Sequence, residues 1–242
     1  MPAITDLILL RHGEVASHRG DVPLTRAGRG QAEQAGRELA ELGAQRAEIL
    51  AGPTLRAQQT GLILLHGWTS ADASCDVEGP AVTTALRNPD LYLAGHRVDM
   101  VSTAAAFAEQ VPGATEARVT AIGFYAGFLT SADRIGFWLS YADPPGESVG
   151  AVAARITHFA ASLGHADGVD LVVGITQSPV LRAVASHYAG TDPGEPDYLS
   201  GYRLRAEGDG SLALSSVHRN HTDLKQADLS PKGQVGGRQW SR

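Results

Sequence analysis

The feature that most constrains this fold is a short apolar run that ends abruptly in polar residues. Leu7 to Leu10 are all apolar, and Arg11 and His12 follow directly. A continuous apolar run of this length is typical of a parallel strand buried on both faces. Ligands bind at the carboxyl ends of strands in open α/β sheets, so the polar residues after this strand are candidates for a binding site.

Strands and helices alternate along much of the chain. The predicted elements after the first strand are helix 25–42, strand 47–51, helix 54–65, helix 148–163, strand 169–175 and helix 179–188. Short apolar strands at 202–204 and 212–214, joined through Gly208-Asp-Gly210, predict a closing hairpin. This order predicts an α/β fold: a three-layer α/β/α sandwich with a mostly parallel central sheet.

The predicted domain covers residues 1–217 and carries a helical insertion over about residues 85–145. Within it, 98–110 and 118–141 have helical patterns, and no convincing strand is predicted. Residues 218–242 are polar and turn-rich and predict an irregular C-terminal tail. Apolar and aromatic side chains at nearly helical spacing would form a buried face or roof a pocket: Phe124, Tyr125, Phe128, Phe137, Trp138 and Tyr141.

Composition narrows the class of partner. The net charge of -6 argues against a nucleic-acid binder and against attraction to anionic membranes. Cys75 is the only cysteine, and the N-terminus has no export signal, so we expect a cytoplasmic protein. A small molecule is therefore the default partner, and the residues at the ends of the predicted strands, rather than the composition, predict a phosphorylated substrate or phosphate with no cofactor or metal. The sequence makes no prediction of oligomeric state.

The first strand delivers an imidazole and a guanidinium to the same place. A neutral imidazole such as that of His12 can attack phosphorus when an acceptor fixes its other nitrogen. Gly13 would allow close backbone approach. Arg56, in the first turn of the helix after the second strand, would join Arg11 there. Two arginines can hold a phosphoryl dianion by forked hydrogen bonds, so no metal is required.

Three separated segments resemble the histidine phosphatase superfamily, the phosphoglycerate-mutase-like branch with an RHG motif. They are the RHGE opening at 11–14, the turn DVPLTRAG at 21–28 and PTLRAQQT at 53–60. The resemblance implies that His12 is phosphorylated during turnover and that Arg11 and Arg56 grip the phosphate. It also places Ser17 near the pocket.

The chain departs from the family pattern at one position. A segment that resembles Thr-His-Ser-Pro-Val-x-Arg reads Thr176-Gln177-Ser178-Pro179-Val180-Leu181-Arg182, so Gln177 occupies the place of the usual second histidine. An amide can donate a hydrogen bond but cannot become cationic or exchange a proton. Gln177 could be an inactivating substitution, a natural variation that the enzyme tolerates, or the mark of a pocket with another task.

The general acid has three candidates, Glu14, Asp90 and Glu147. Each also has a structural explanation: Glu14 could orient Arg11 or a loop amide, Asp90 adjoins Pro89 in a turn, and Glu147 precedes a helix. The remaining predicted contacts to substrate are Gly13, Ser17, His18 and Ser178.

Two functions follow from these residues. The first is a metal-independent phosphatase of a small phosphomonoester, with a phosphohistidine at His12. The second is a catalytically diminished or repurposed protein that binds a ligand or performs non-phosphatase chemistry, and it is motivated by Gln177. A mutase is disfavoured because the sequence shows no second basic cluster suited to a bisphosphate.

Overall fold

The alternating strands and helices fold into three layers. The computed structural model describes residues 6–17, 20–71, 74–163, 168–206, 212–220 and 223–228. The strands are β1 (Asp6–Arg11), β2 (Arg46–Ala51), β3 (Asp76–Val82), β4 (Leu91–Leu93), β5 (His96–Val98), β6 (Leu171–Thr176), β7 (Gly201–Ala206), β8 (Leu212–Asn220) and β9 (Asp223–Asp228). The helices are α1 (Arg26–Ala40), α2 (Leu55–Ala71), α3 (Ala104–Ala108), α4 (Glu116–Thr120), α5 (Gly123–Thr130), α6 (Arg134–Ser140), α7 (Val149–Leu163) and α8 (Ser178–Ala189).

The main sheet has the strand order β3-β2-β6-β1-β7-β8-β9. Strands β3, β2, β6 and β1 are parallel, and β7, β8 and β9 continue the sheet in antiparallel pairing. The predicted α/β sandwich with a mostly parallel sheet is therefore confirmed, and the closing hairpin is observed as the β7–β8 pair. Strand β3 was not predicted from the sequence, because its residues lack a clear apolar pattern.

The central strand β1 is buried on both faces, as its apolar run predicts. Leu7 and Leu9 pack into the core shared with α7, α8 and the insertion. Ile8 and Leu10 face the opposite core, which α1 and α2 cover. This double burial fixes the sheet as the middle layer, and it leaves only the strand ends available for polar side chains.

The inserted region differs from its prediction. It contains the short helices α3 to α6 rather than two long ones, and it also contains the antiparallel hairpin β4–β5. Side chains of Thr103, Thr115 and Asp133 cap the N-termini of α3, α4 and α6. Each such cap begins a new helix at a place where the apolar periodicity alone runs on.

The predicted irregular tail, residues 218–242, includes strand residues where the structure describes it, and residues 229–242 lie outside the described residues. Residues 218–220 complete β8, and residues 223–228 form β9, which pairs with β8. The polar composition of this segment suits an edge strand, which the sequence pattern did not distinguish from a tail. The Gly208-Asp-Gly210 turn lies outside the described residues. In the part of the chain that the structure describes, no helix is long and apolar enough to cross a bilayer.

Candidate active site

Neighbouring strand ends bring the predicted site residues together. Strands β1 and β6 run in parallel register, with Arg11 opposite Thr176. The backbone N–H of His12 donates to the carbonyl oxygen of Thr176 at 3.1 Å, and that of Gly52 donates to Ile175 at 2.9 Å. The segments that follow β1, β2 and β6 therefore meet at one edge of the sheet, as predicted for parallel strands.

The imidazole of His12 is buried and oriented. Its side chain is 2% exposed, and its Nδ1 lies 2.7 Å from the carbonyl oxygen of Gly13. A carbonyl oxygen only accepts, so Nδ1 carries the proton in this contact and the neutral ring has its lone pair on Nε2. This tautomer is the one that a nucleophile attacking through Nε2 requires.

Close packing of the following loop against α1 holds this histidine in place. A Cβ atom at Gly13 would lie 2.7 Å from the carbonyl oxygen of Gly28, which is closer than real Cβ contacts. The N–H of Gly13 donates to Oγ1 of Thr60 at 3.0 Å. Gly13 is thus explained by packing, and it does not line the cavity described below.

Arg56 and Gln177 form a buried pair. Nε of Arg56 donates to Oε1 of Gln177 at 2.9 Å, and Nε2 of Gln177 donates to Oγ1 of Thr54 at 2.8 Å. The side chain of Gln177 is 3% exposed. Burial lowers the pKa of Arg56, which the nearby Asp21 carboxylate opposes. The amide at position 177 therefore acts as a fixed spacer that holds the guanidinium of Arg56 beside His12.

Arg11 is held by the segment between α8 and β7. Its Nη1 donates to the carbonyl oxygen of Pro196 at 2.6 Å, and its Nη2 lies 2.8 Å from Oε1 of Glu195. The guanidinium carbon lies 4.2 Å from the ring centre of Tyr198, a cation–π contact. Glu195 also accepts from the hydroxyl of Ser178 at 2.5 Å. A carboxylate thus occupies the position where an anionic ligand would meet Arg11 and Ser178.

Arg182 connects this segment to the inserted region. It is 2% exposed and donates to Asp133 through Nη1 at 2.9 Å and to Asp192 through Nε at 3.0 Å. Burial alone would lower the pKa of Arg182, but these hydrogen bonds raise it above its ordinary value. The same contact lowers the pKa of Asp133 to about 2. Asp133 is consequently ionised at neutral pH and cannot donate a proton.

These side chains surround a cavity of about 250 Å³. The sheet and its strand ends contribute one wall: Arg11, His12, Arg56, Gln177, Ser178, Pro179 and Glu195. The inserted region contributes most of the other: Asn88, Met100, Val101, Ser102, Phe128, Ala132, Asp133, Arg134 and Ile135. The volume lies near the lower end of ordinary ligand pockets, which are about 300–1,000 Å³. The cavity therefore suits a small molecule.

The three predicted acids do not line this cavity. Oε1 of Glu14 accepts from Oγ1 of Thr25 at 2.8 Å, and this bond helps to hold the loop before α1. Oε1 of Glu147 accepts from Nε of Arg155 at 2.9 Å, and Oε2 accepts from the N–H of Asp90 at 2.8 Å. These carboxylates have structural partners, so their predicted role as the general acid is not supported.

Asp90 shows how its structural partners make a carboxyl group a poor general acid. Burial alone would raise the pKa of Asp90, but hydrogen bonds from Arg87 and Arg97 outweigh burial and place the pKa below its ordinary value. A carboxyl group with a lowered pKa is a poor proton donor near neutral pH. The cluster of Asp90, Arg87 and Glu147 joins the start of the inserted region to α7.

Of the predicted substrate contacts, Ser178 lines the cavity and Ser17 does not. His18 lies outside the described residues. Sequence reasoning missed Asn88, Asp133, Arg134 and Glu195, which line the cavity from the inserted region and from the segment after α8. They lie in irregular segments or at the start of a short helix, where no periodic pattern marks them. For Asp133 a signal was present, because Asp followed three residues later by Gly136 is compatible with a helix cap.

The aromatic stripe of the inserted region is mainly core. Tyr125 and Trp138 are completely buried, and burial raises the pKa of Tyr125 to about 12. Phe128 contributes to both settings, since it packs in the core and lines the cavity. Tyr125 and Trp138 therefore belong to the buried face, whereas Phe128 belongs both to that face and to the wall of the cavity.

Known proteins resemble this chain in sequence over one part and in fold over nearly all of it. The family model of the histidine phosphatase superfamily (branch 1) matches residues 7–75. No curated protein matches the sequence significantly. Among solved structures, "Mycobacterial hydrolase 1" is 21% identical with a TM-score of 0.55, and the alignment covers 93% of this chain and 100% of that one.

Two further structures have named activities. A mycobacterial glucosyl-3-phosphoglycerate phosphatase is 21% identical with a TM-score of 0.54, over 89% of this chain and 99% of that one. A phosphoglycerate mutase from Bacillus anthracis is 15% identical with a TM-score of 0.55, over 89% and 93%. At these identities the structures establish the fold alone. The sequence match over residues 7–75 and the shared fold together confirm the resemblance of this chain to the histidine phosphatase superfamily, branch 1.

Proposed function

We propose that this protein hydrolyses a small phosphomonoester through a covalent phosphohistidine at His12. One observation carries the proposal: the buried imidazole lies on the cavity wall beside Arg11 and Arg56, with Nδ1 directed to the carbonyl oxygen of Gly13 at 2.7 Å. An imidazole held in this way presents the Nε2 lone pair that attack on phosphorus requires.

The first chemical step transfers the phosphoryl group to His12. The bond from Nε2 to phosphorus forms, and the bond from phosphorus to the ester oxygen breaks, so that the leaving group departs with its electron pair. Arg56 and the N-terminus of α8 stabilise the charge on the phosphoryl oxygens. Arg11 joins them when the phosphate displaces the carboxylate of Glu195. In the second step the oxygen of a water molecule attacks phosphorus, the bond from phosphorus to Nε2 breaks with its electron pair returning to Nε2, and inorganic phosphate is released.

Among the residues that line the described cavity, no carboxyl group is available to protonate the leaving group. The two carboxylates that line the described cavity, Asp133 and Glu195, are both ion-paired with arginine. Gln177 carries no exchangeable charge. The proposal therefore favours esters whose alcohol is acidic, such as aryl phosphates.

Hydrolysis of 4-nitrophenyl phosphate tests the proposed function. We expect turnover by the unaltered protein and by a variant of an exposed helix residue, His158→Ala, and loss of turnover in His12→Ala. Activity should survive a metal chelator, because guanidinium groups take the place of a metal in the proposal. Equal activity in His12→Ala would refute the proposed mechanism.

The second candidate function is phosphate-ligand binding with little turnover. It rests on the amide of Gln177, which accepts a hydrogen bond from Arg56 and donates one to Thr54. This arrangement positions a guanidinium for an anion but supplies no proton. Calorimetric titration with inorganic phosphate, together with the hydrolysis assay, separates the two: tight binding without turnover favours this candidate.

We further propose that the protein acts in the cytoplasm on a small molecule, without a nucleic-acid or membrane partner. The acidic net charge and the single cysteine support this setting. Recovery of the protein in a washed membrane fraction would contradict it.

A further inference from the structure

Arg134 differs from the other arginines of the cavity. Arg11 is paired with Glu195, and Arg56 contacts Asp21 and Gln177. The side chain of Arg134 makes no ion pair or hydrogen bond within the residues that the structure describes, and its Nε is buried without an acceptor. A buried donor that lacks an acceptor costs free energy unless a ligand or water supplies one.

The position of Arg134 in its helix makes this more informative. It is the first residue of α6, directly after the capping residue Asp133. Helix N-termini carry partial positive charge and favour acidic residues, so a cation there is unfavourable for the helix itself. The carboxylate of Asp133 is bonded to Arg182 rather than to Arg134. Stability of α6 therefore gives no reason for an arginine at this position.

Three of the seven buried side-chain atoms that lack a hydrogen-bond partner in the described chain belong to residues of this cavity. Within the described chain, Nε of Arg11, Oδ1 of Asn88 and Nε of Arg134 are buried atoms without a hydrogen-bond partner, and all three residues line the cavity. A ligand bound in the cavity can complete the hydrogen bonds of these three atoms. Arg11 belongs to the sheet wall near His12, whereas Arg134 belongs to the opposite wall.

The wall around Arg134 combines apolar side chains with the polar residues Asn88, Ser102 and Asp133. Met100, Val101, Phe128 and Ile135 line it, so a bound molecule meets hydrocarbon surface and a guanidinium whose Nε has no acceptor within the described residues. Apolar side chains favour an apolar body, and a planar guanidinium favours a planar anion such as a carboxylate, which it can bind through two parallel hydrogen bonds.

We infer that the substrate is a phosphomonoester whose apolar body carries a second anionic group, a carboxylate, that Arg134 binds. This inference rests on the proposed function, because it assigns the phosphate to His12 and the carboxylate to the opposite wall.

The test crosses two substrates with three proteins. Phenyl phosphate and 4-carboxyphenyl phosphate differ only in the carboxylate, and they are compared on the unaltered protein, on Arg134→Met and on Arg118→Met. Met keeps the length of the apolar stem without the charge. Arg118 is an exposed arginine of the same inserted region that does not line the cavity, and it serves as the matched control.

We expect Arg134→Met to raise KM for 4-carboxyphenyl phosphate by about 10- to 100-fold, the usual contribution of a charged hydrogen bond, and to change kcat/KM for phenyl phosphate less than about 3-fold. Arg118→Met should leave both unchanged. An equal effect of Arg134→Met on both substrates, or no effect on either, would overturn the inference.

Failure of the proposed function is distinguishable from failure of this inference. If the unaltered protein hydrolyses neither ester, the phosphatase proposal fails, and the preference is measured as dissociation constants for the two esters by calorimetry. Weaker binding of 4-carboxyphenyl phosphate alone in Arg134→Met still supports the carboxylate site. Equal dissociation constants in the two proteins contradict it.

Discussion

Restoring a histidine at position 177 tests the limiting feature of the site. The amide of Gln177 now accepts from Nε of Arg56 at 2.9 Å and donates to Thr54 at 2.8 Å. The histidine of Gln177→His can become cationic and donate a hydrogen bond to a phosphoryl oxygen. One preorganised donor of this kind is typically worth about 10²- to 10³-fold in rate.

The substitution also removes a hydrogen bond of Arg56, and this loss reduces the expected increase in rate. An imidazolium cannot accept a hydrogen bond, so Nε of Arg56, whose side chain is 11% exposed, loses its acceptor. Leaving a buried donor unpaired costs about 1–3 kcal/mol, and about 1.4 kcal/mol corresponds to a factor of ten. Taking a cost near the lower end, we expect a net rise in kcat/KM of about 10- to 100-fold for Gln177→His.

The assay is steady-state hydrolysis of 4-nitrophenyl phosphate by the two proteins. His12→Ala in the Gln177→His background excludes a contaminating phosphatase, and Gln177→Asn, which keeps an amide, should not raise the rate. If Gln177→His leaves kcat/KM unchanged while Arg56 stays in place, the reasoning that proton donation limits this site is refuted.

Three further predictions concern binding and stability. In Glu195→Gln, the loss of a carboxylate from the anion position should tighten inorganic phosphate binding by about 2- to 5-fold in calorimetry, and weaker binding would contradict the assigned competition. Asp133 has its pKa lowered from 3.8 to about 2 by Arg182, so its charge stabilises the fold above about pH 4 and less as pH falls toward 2. Urea unfolding should therefore show Asp133→Asn less stable than the unaltered protein at pH 7, with a smaller difference at pH 3; a constant difference would exclude this linkage. A Cβ at Gly28 would lie 2.2 Å from a backbone carbonyl oxygen, whereas Gly30 on the same helix has open space, so Gly28→Ala should lose about 1–3 kcal/mol of unfolding free energy and Gly30→Ala should gain about 0.5–1 kcal/mol.

Much of the fold was predictable because β1 and β6 have unambiguous patterns. A continuous apolar run bounded by polar residues indicates a doubly buried strand, and a parallel sheet then brings the strand ends together. The same reasoning predicts that His12, Arg56 and Gln177 lie at one edge of the sheet, and all three line the cavity. Their assembly depends on the sheet, which local periodicity specifies well.

The inserted region was less predictable because its helices are short. Side-chain caps such as that of Asp133 interrupt the apolar periodicity, and the hairpin β4–β5 has only three residues in each strand. Asn88, Arg134 and Glu195 reach the cavity through irregular segments and tertiary packing. Neither irregular backbone nor tertiary packing produces a recognisable pattern at neighbouring positions in the sequence.

The predicted acids Asp90 and Glu147 do not line the cavity, for a related reason. Asp90 and Glu147 were chosen for their proximity to motifs, but a carboxylate's role depends on its partners in space. Arginines from the inserted region and from α7 bind both carboxylates. These arginines lie from 3 to 8 positions away from the carboxylates in sequence, so each is a candidate partner. The fold decides which arginine and carboxylate form an ion pair.

The central claim is that His12 carries the phosphoryl group during turnover, and rapid-quench labelling tests it most directly. The protein is mixed with ³²P-labelled phenyl phosphate, quenched in base and examined for protein-bound label, with His12→Ala and His158→Ala in parallel. We predict label that is stable in base and labile in acid, present in the unaltered protein and in His158→Ala and absent from His12→Ala. Release of labelled phosphate with no base-stable label on the unaltered protein, or equal label on His12→Ala, would contradict a phosphohistidine at this position.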